Sequence, residues 1–201
     1  PHGRAARAWH AWRMAEPPAG GTDDRVTSGL CPPRWSFPLF TPRLRIGVGM
    51  ALALVAATAA PLVLSPSPAA WLPLVVVVGV GLSNLVHEAA HAWAASRLGY
   101  QVAWVVLGGL AGVTAYVGRD DRPLDRAAVA LAGPAASAAL VLVFAAVRAA
   151  TPAGTACAVL AEVAAGLNVL SLVANLLPFG GTDGARLVDG LAEHRRRRAA
   201  G

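Results

Sequence analysis

His87, Glu88 and His91 lie in the pentad His87-Glu88-Ala89-Ala90-His91, an H-E-x-x-H pattern. Residues four apart on a helix share a face, so both imidazoles can turn a ring nitrogen toward one metal ion, and zinc suits that donor set. Glu88, one step round the helix, is placed to act as general base on a water at such an ion. The pentad sits inside an apolar run, Leu72 to Ala95, long enough to cross a bilayer. Ionisable groups at membrane depth are costly and mark functional sites. The alternative is a core helix whose histidines pair with backbone or with one another.

A catalytic zinc takes about three protein ligands and keeps one position open. The candidate third ligand is Asp183, in the segment Asn175-Leu176-Leu177-Pro178-Phe179-Gly180-Gly181-Thr182-Asp183-Gly184. Pro178 and the glycine pair break a helix there, and Thr182 or Asp183 can open a short new one toward Leu191, leaving the carboxylate free to project sideways. The competing role for Asp183 is simply to cap that helix. Helix rise places His87 roughly 22 Å from the outer end of its span, about 8 Å inside the cytoplasmic edge of a ~30 Å hydrocarbon core. Asp183 belongs to the same edge, so one zinc per chain is expected, reached from the cytoplasmic side.

The elements that must position these residues follow from composition. The chain has 201 residues, 56% of them apolar and only 14% charged, against about 25% charged in ordinary soluble domains. Four segments reach the length of a transmembrane helix: 46–64, 72–95, 127–147 and 156–177. Every basic residue is an arginine, and with the N-terminus placed inside, Arg148 alone among the 17 falls outside. That asymmetry is the one the positive-inside rule favours, and it predicts a multi-pass cell-membrane protein with both termini cytoplasmic. Basic loops beside membrane spans account for a pI of 10.9 without nucleic acid, which is not expected as a partner. Small residues at 57–60 resemble a signal-peptide cleavage site, but the stretch before them is far too long for the usual leader. Cys31 and Cys157 fall on opposite sides of the membrane in this scheme and cannot pair.

Residues 1–45, punctuated by Pro17-Pro18 and Pro32-Pro33, read as a disordered Arg- and Pro-rich cytoplasmic extension. Its Trp9, Trp12 and Trp35 are suited to anionic headgroups. Residues 46–191 form the membrane core, and 192–201 a basic cytoplasmic tail. Between the second and third spans, β-branched and aromatic residues at 102–107 and 113–117 flank a glycine-rich turn, which predicts a β-hairpin. Open strand edges are not tolerated against lipid, so this hairpin must be buried, interfacial or beside a wet cavity. Gly133-Pro134 and the small residues after it permit close helix packing with a kink. Glu162 near an outer end and Asn168 in the fourth span read as snorkelling and helix contact. The expected fold class is therefore an all-α polytopic membrane protein, with about four transmembrane helices and a small membrane-associated β-hairpin.

The H-E-x-x-H in one span, Ala132-Gly133-Pro134 in the next and the N-x-x-P-x-x-x-x-D-G of Asn175 to Gly184 together resemble the site-2 protease family, the intramembrane zinc metalloproteases. The resemblance covers roughly residues 72–191. It implies His87, His91 and Asp183 as zinc ligands, Glu88 as catalytic base and Asn175 as a polar group near the scissile carbonyl, although helix contact is an equal role for that asparagine. It also implies a sheet around Gly108-Gly109 close to the active site, and a minimal form without PDZ or CBS domain. The expected activity is hydrolysis of a peptide bond in or near a substrate's transmembrane helix, as in regulated intramembrane proteolysis. The expected partners are that membrane-protein substrate and the lipid bilayer; oligomeric state is left open. Rival readings are an inactive metal-binding scaffold, which the intact Glu88 disfavours, and a small proton or metal transporter, for which no inverted repeat is visible.

Overall fold

The computed structural model describes residues 36–38, 43–63, 72–108, 112–118 and 122–200. The tryptophans and prolines expected in a disordered extension up to residue 35 lie outside these. In chain order the elements are β1 (Ser36–Pro38), β2 (Leu44–Gly47), α1 (Val48–Val63), α2 (Leu72–Arg97), β3 (Gln101–Leu107), β4 (Gly112–Val117), α3 (Pro123–Ala150), α4 (Ala156–Leu176) and α5 (Asp183–Ala200).

Among the described residues three helices, α2, α3 and α4, are long and apolar enough to cross a membrane, at 26, 28 and 21 residues. The first expected span, 46–64, is shorter as a helix: α1 has 16 residues, about 24 Å at 1.5 Å per residue against a ~30 Å core. The distribution of polarity is that of a membrane protein. Leu52, Val55, Leu142 and Leu170 are each more than 60% exposed, while Asn84, His87, Glu88, His91, Ser137, Asn168 and Asp183 are buried. Lipid solvates the former at no cost, whereas the latter satisfy one another inside.

The expected hairpin is present, and it is half of a larger sheet. Strands β3 and β4 pair antiparallel, with a bulge between Val102 and Trp104. Strand β2 pairs parallel with β3, setting Leu44 beside Val105 and Ile46 beside Leu107, and β1 pairs antiparallel with β2. The extension expected to run to residue 45 therefore ends in two strands, and the first helix begins at Val48 rather than 46. Leu44 and Ile46 are apolar positions two apart, and their parallel partners lie in β3, far along the chain. Pro38 sits in the outermost strand, where a missing N–H costs nothing. Because β2 enters α1 and β3 leaves α2, their parallel pairing returns the chain to the side from which it set out. Residues 43–47, 97–108 and 112–118 therefore share one end of the bundle.

That end carries the core. Ala94, Ala95, Val102, Val105 and Val129 cluster beneath Leu44, Tyr100 and Tyr116. At the end of α2, Gly99 adopts φ +89°, and Tyr100 N–H donates to Ala95 O at 2.9 Å. This left-handed turn sends the chain straight into β3. Helix α3 begins with Pro123 at its first turn and carries the buried Pro134 inside it.

Candidate metal centre

Helix α2 places His87 and His91 one turn apart, both about 95% buried, with their Nε2 atoms 3.1 Å from each other. Asp183 Oδ2 lies 3.1 Å from His87 Nε2 and 3.2 Å from His91 Nε2. The three atoms form a nearly equilateral triangle. Donors bound to zinc at 2.0–2.1 Å on a tetrahedron stand about 3.3 Å apart, so the triangle has the dimensions of three zinc ligands with one vertex left over.

The protons argue the same way. His91 Nδ1 is 2.7 Å from the carbonyl oxygen of Val129, which can only accept, so Nδ1 carries the hydrogen and Nε2 of the neutral ring presents a lone pair. His87 Nδ1 shares a 2.9 Å hydrogen bond with Ser137 Oγ. A lone pair and a carboxylate oxygen turned toward one point repel unless a proton or cation stands between them. Imidazoles held through Nδ1 by a carbonyl and a hydroxyl, with Nε2 converging, are oriented as metal-bound histidines are.

Asp183 reaches this position because α4 stops. Leu177 turns to extended backbone, and Gly180 and Gly181 follow at φ +59° and +84°, in the left-handed region. Thr182 Oγ1 accepts from Ala185 N–H at 3.3 Å, so Thr182 rather than Asp183 caps α5. The capping role weighed for Asp183 is thus filled by its neighbour, and the carboxylate is turned to the histidines. Gly184 allows the approach, since a Cβ there would run into the backbone of Leu176 and Leu177.

A second carboxylate borders the pair. Glu88 is 3% exposed, and a carboxylate oxygen lies within 4.8 Å of the imidazole nitrogens, further off than Asp183. Thr114 Oγ1 on β4 donates to Glu88 Oε2 at 2.5 Å and is 3.2 Å from Glu88 O. The side chain is therefore tethered to the sheet, short of the triangle. Gly112, at the start of β4, lies directly over it, and a Cβ there would stand 2.5 Å from the Glu88 carboxylate. Asn175 is half-buried and donates through Nδ2 to Ser171 O at 3.0 Å and Ser171 Oγ at 3.3 Å, bonds made within its own helix.

Three participants escaped the sequence reading: Val129, Thr114 and Ser137. The face of α3 that meets the histidines is Val129, Gly133 and Ser137, spaced i, i+4, i+8. A Cβ on Gly133 would overlap His91 Nε2 and stand 2.5 Å from His87 Nε2. Ala132-Gly133-Pro134 thus serves more than helix packing: its glycine makes room for the imidazoles. The four-residue step shared by Gly133–Ser137 and His87–His91 was the available signal.

Comparison with known proteins bears on what this arrangement is. No family model matches the chain. Over 109 residues it is 44% identical to the "Putative zinc metalloprotease Rip3" of Mycobacterium tuberculosis, in both strain Erdman and strain H37Rv. That stretch is 53% of this chain and 28% of the relative, so the match spans little more than a quarter of the relative's length. The solved site-2 protease of Methanocaldococcus jannaschii superposes with a TM-score of 0.58 at 20% identity, over 77% of this chain and 70% of that one. The chain thus resembles a zinc metalloprotease over about half of its length and shares the fold of a site-2 protease. In this site-2 protease-like membrane fold the buried polar cluster lies between helices with exposed apolar faces, and β4 of the four-stranded sheet borders it through Gly112 and Thr114.

Proposed function

We propose that the chain is an intramembrane zinc metalloendopeptidase that hydrolyses a peptide bond in or near a transmembrane segment of a membrane-protein substrate. The observation that carries this reading is the convergence of His87, His91 and Asp183 on one point with the Glu88 carboxylate alongside. The zincin pattern requires that division of labour, two imidazoles and a third donor for the ion and a free glutamate for the proton. His87, His91 and Asp183 would hold one zinc per chain. When bound, it supplies Lewis acidity, lowering the pKa of a water toward neutrality and countering charge on a carbonyl oxygen.

The chain's own groups supply the rest. Glu88 takes the proton from the attacking water and passes it to the leaving amine. Thr114 fixes the direction of the Glu88 carboxylate through its 2.5 Å hydrogen bond. Asn175 donates to the substrate carbonyl or backbone once it exchanges its bonds to Ser171. A helical substrate hides its scissile bond and must unwind locally. The outer edge of β4, which runs from Gly112 beside Glu88, receives that extended segment by main-chain pairing. With residues 43–47, 97–108, 112–118 and 177–200 at one end, the site opens to the arginine-rich side, assigned as cytoplasmic by the positive-inside rule.

Glu88→Gln tests the reading. The variant retains one zinc per chain and loses cleavage of membrane-protein fragments, as followed by mass spectrometry of membranes from cells making wild type or variant. Normal processing by this variant refutes the general-base assignment, and loss of zinc along with activity makes Glu88 a ligand instead.

A further inference from the structure

Helix α5 leaves the metal centre and crosses the start of α3, a path that sets the depth of everything on it. Its first residue, Asp183, meets the histidines beside Gly133. Gly190 meets Pro123 and Ala127, where a Cβ would stand 2.6 Å from Pro123 O. The charged residues Arg122, Asp125 and Arg126 at this end of α3 give way to an uncharged run up to Arg148, so Pro123 to Ala127 mark the edge of the hydrocarbon. Beyond Gly190, at 1.5 Å per residue, Arg195 lies about 7 Å further out and Arg198 about 12 Å. The headgroup layer is about 5–7 Å thick on each side of the core, so the two side chains reach it.

The outward face of α5 matches that depth profile. Val188, Leu191, Arg195 and Arg198 follow i, i+3, i+7, i+10 spacing and share one stripe. Val188 and Leu191, level with the hydrocarbon edge, are 52% and 41% exposed, and the two arginines above them are exposed. The opposite face, with Asp183, Gly184 and Gly190, is buried. On the flank, Arg196 and Arg197 pair with Glu193 at 3.1 and 2.8 Å. The Arg197 guanidinium holds the Glu193 carboxyl below its usual range, so the flank's charge is partly cancelled, whereas among the described residues Arg195 and Arg198 have no carboxylate partner. The lipid-exposed surface continues through Leu176, Leu177 and Phe179, the last 61% exposed.

We propose that this stripe is a binding surface for anionic phospholipid headgroups, with Val188 and Leu191 seated in the acyl region and Arg195 and Arg198 on the phosphates. The occupant is the leaflet in which the protein already sits. Apolar residues below basic ones on a single helix face are what an interfacial helix presents to anionic lipid. The inference does not depend on the protein being a protease. It implies that lipid grips the far end of the helix whose first residue completes the histidine triangle.

The test uses the full chain in lipid nanodiscs with spin-labelled phosphatidylglycerol or phosphatidylcholine, reading the motionally restricted fraction of each. Phosphatidylglycerol is preferred by the wild type, and the preference weakens as salt rises. Arg195→Gln/Arg198→Gln lowers it by about fivefold or more, the factor for one arginine at an anionic surface. Arg148→Gln, altering the arginine at the opposite end of the bundle that pairs with Glu162 at 3.5 Å, leaves it unchanged. Equal preference in wild type and double variant overturns the proposal. So does displacement of the labelled lipid by millimolar inorganic phosphate, which marks a free-anion site, and so does retention of RNA or an acidic peptide with no preference between lipids.

Discussion

Replacing Gly133 by alanine separates the metal centre from the fold. In a helix interior alanine is better than glycine by about 0.5–1 kcal/mol, so the substitution taken alone strengthens α3. Its new methyl group, however, stands 2.5 Å from His87 Nε2 and closer still to His91 Nε2, where ordinary contact begins near 3.4 Å. The imidazoles and α3 must part by about 1 Å, while metal–ligand bonds tolerate only about 0.2 Å. At least one donor is lost, and zinc affinity falls by more than about 100-fold, beyond the range for loss of an outer-shell partner. The assay is zinc per chain by elemental analysis after competition with a graded chelator, with thermal unfolding in detergent as the control for the fold. Gly166→Ala in α4, where nothing lies within 4 Å of the added group, keeps wild-type zinc. A Gly133→Ala protein that binds one zinc with unchanged affinity refutes the placement of α3 against the histidines.

Ser137→Ala removes the partner of His87 Nδ1 and is expected to weaken zinc binding by about 10–100-fold without unfolding the chain, as chelator competition will report. Thr114→Val frees the Glu88 carboxylate from β4. Zinc content stays at wild type, kcat falls by about 10–100-fold with KM little changed, and Thr114→Ser restores most of the rate, since a loosened base keeps part of the roughly 10²–10⁴-fold that a positioned one contributes. A valine variant with full kcat removes Thr114 from the mechanism. Gly181→Ala forces a side chain into φ +84° at a cost of about 1–2 kcal/mol, lowering the unfolding temperature in detergent. An unchanged melting profile shows the turn relaxes to negative φ.

The candidate site of this chain was legible as a cluster because much of its geometry is local. His87, Glu88 and His91 carry their geometry in a single helical turn, and Pro178 with Gly180 and Gly181 announces the break that frees Asp183. The four-residue interval is enough to place two imidazoles together, and the break explains how a distant carboxylate can meet them. The hairpin at 101–117 was legible for the same reason, since both strands and their turn are contiguous. Strands β1 and β2 were not, because their partner β3 lies beyond two helices, and a short apolar alternation next to prolines reads as linker until that partner is known. The outer contacts of the site were hidden likewise. Ser137 looks like one more small residue in a span, Val129 contributes only its carbonyl, and Thr114 is an ordinary strand residue until β4 is set against α2. The first apolar segment, continuous to the eye from residue 46, forms a helix only from Val48 to Val63, its opening positions being taken by the sheet.

The parallel pairing of β2 with β3 changes where the protein can be shortened. Trimming the first forty-five residues as a dispensable leader removes β1 and half of β2, taking away the partners of Val105 and Val106 on that side of β3. Val105 and Val106, now buried, would then border a row of unanswered amides and carbonyls, an invitation to stick to another copy. A shortened version that keeps His87, Glu88, His91 and Asp183 can thus still misbehave in solution, by aggregation through the sheet beside that cluster rather than through the cluster itself.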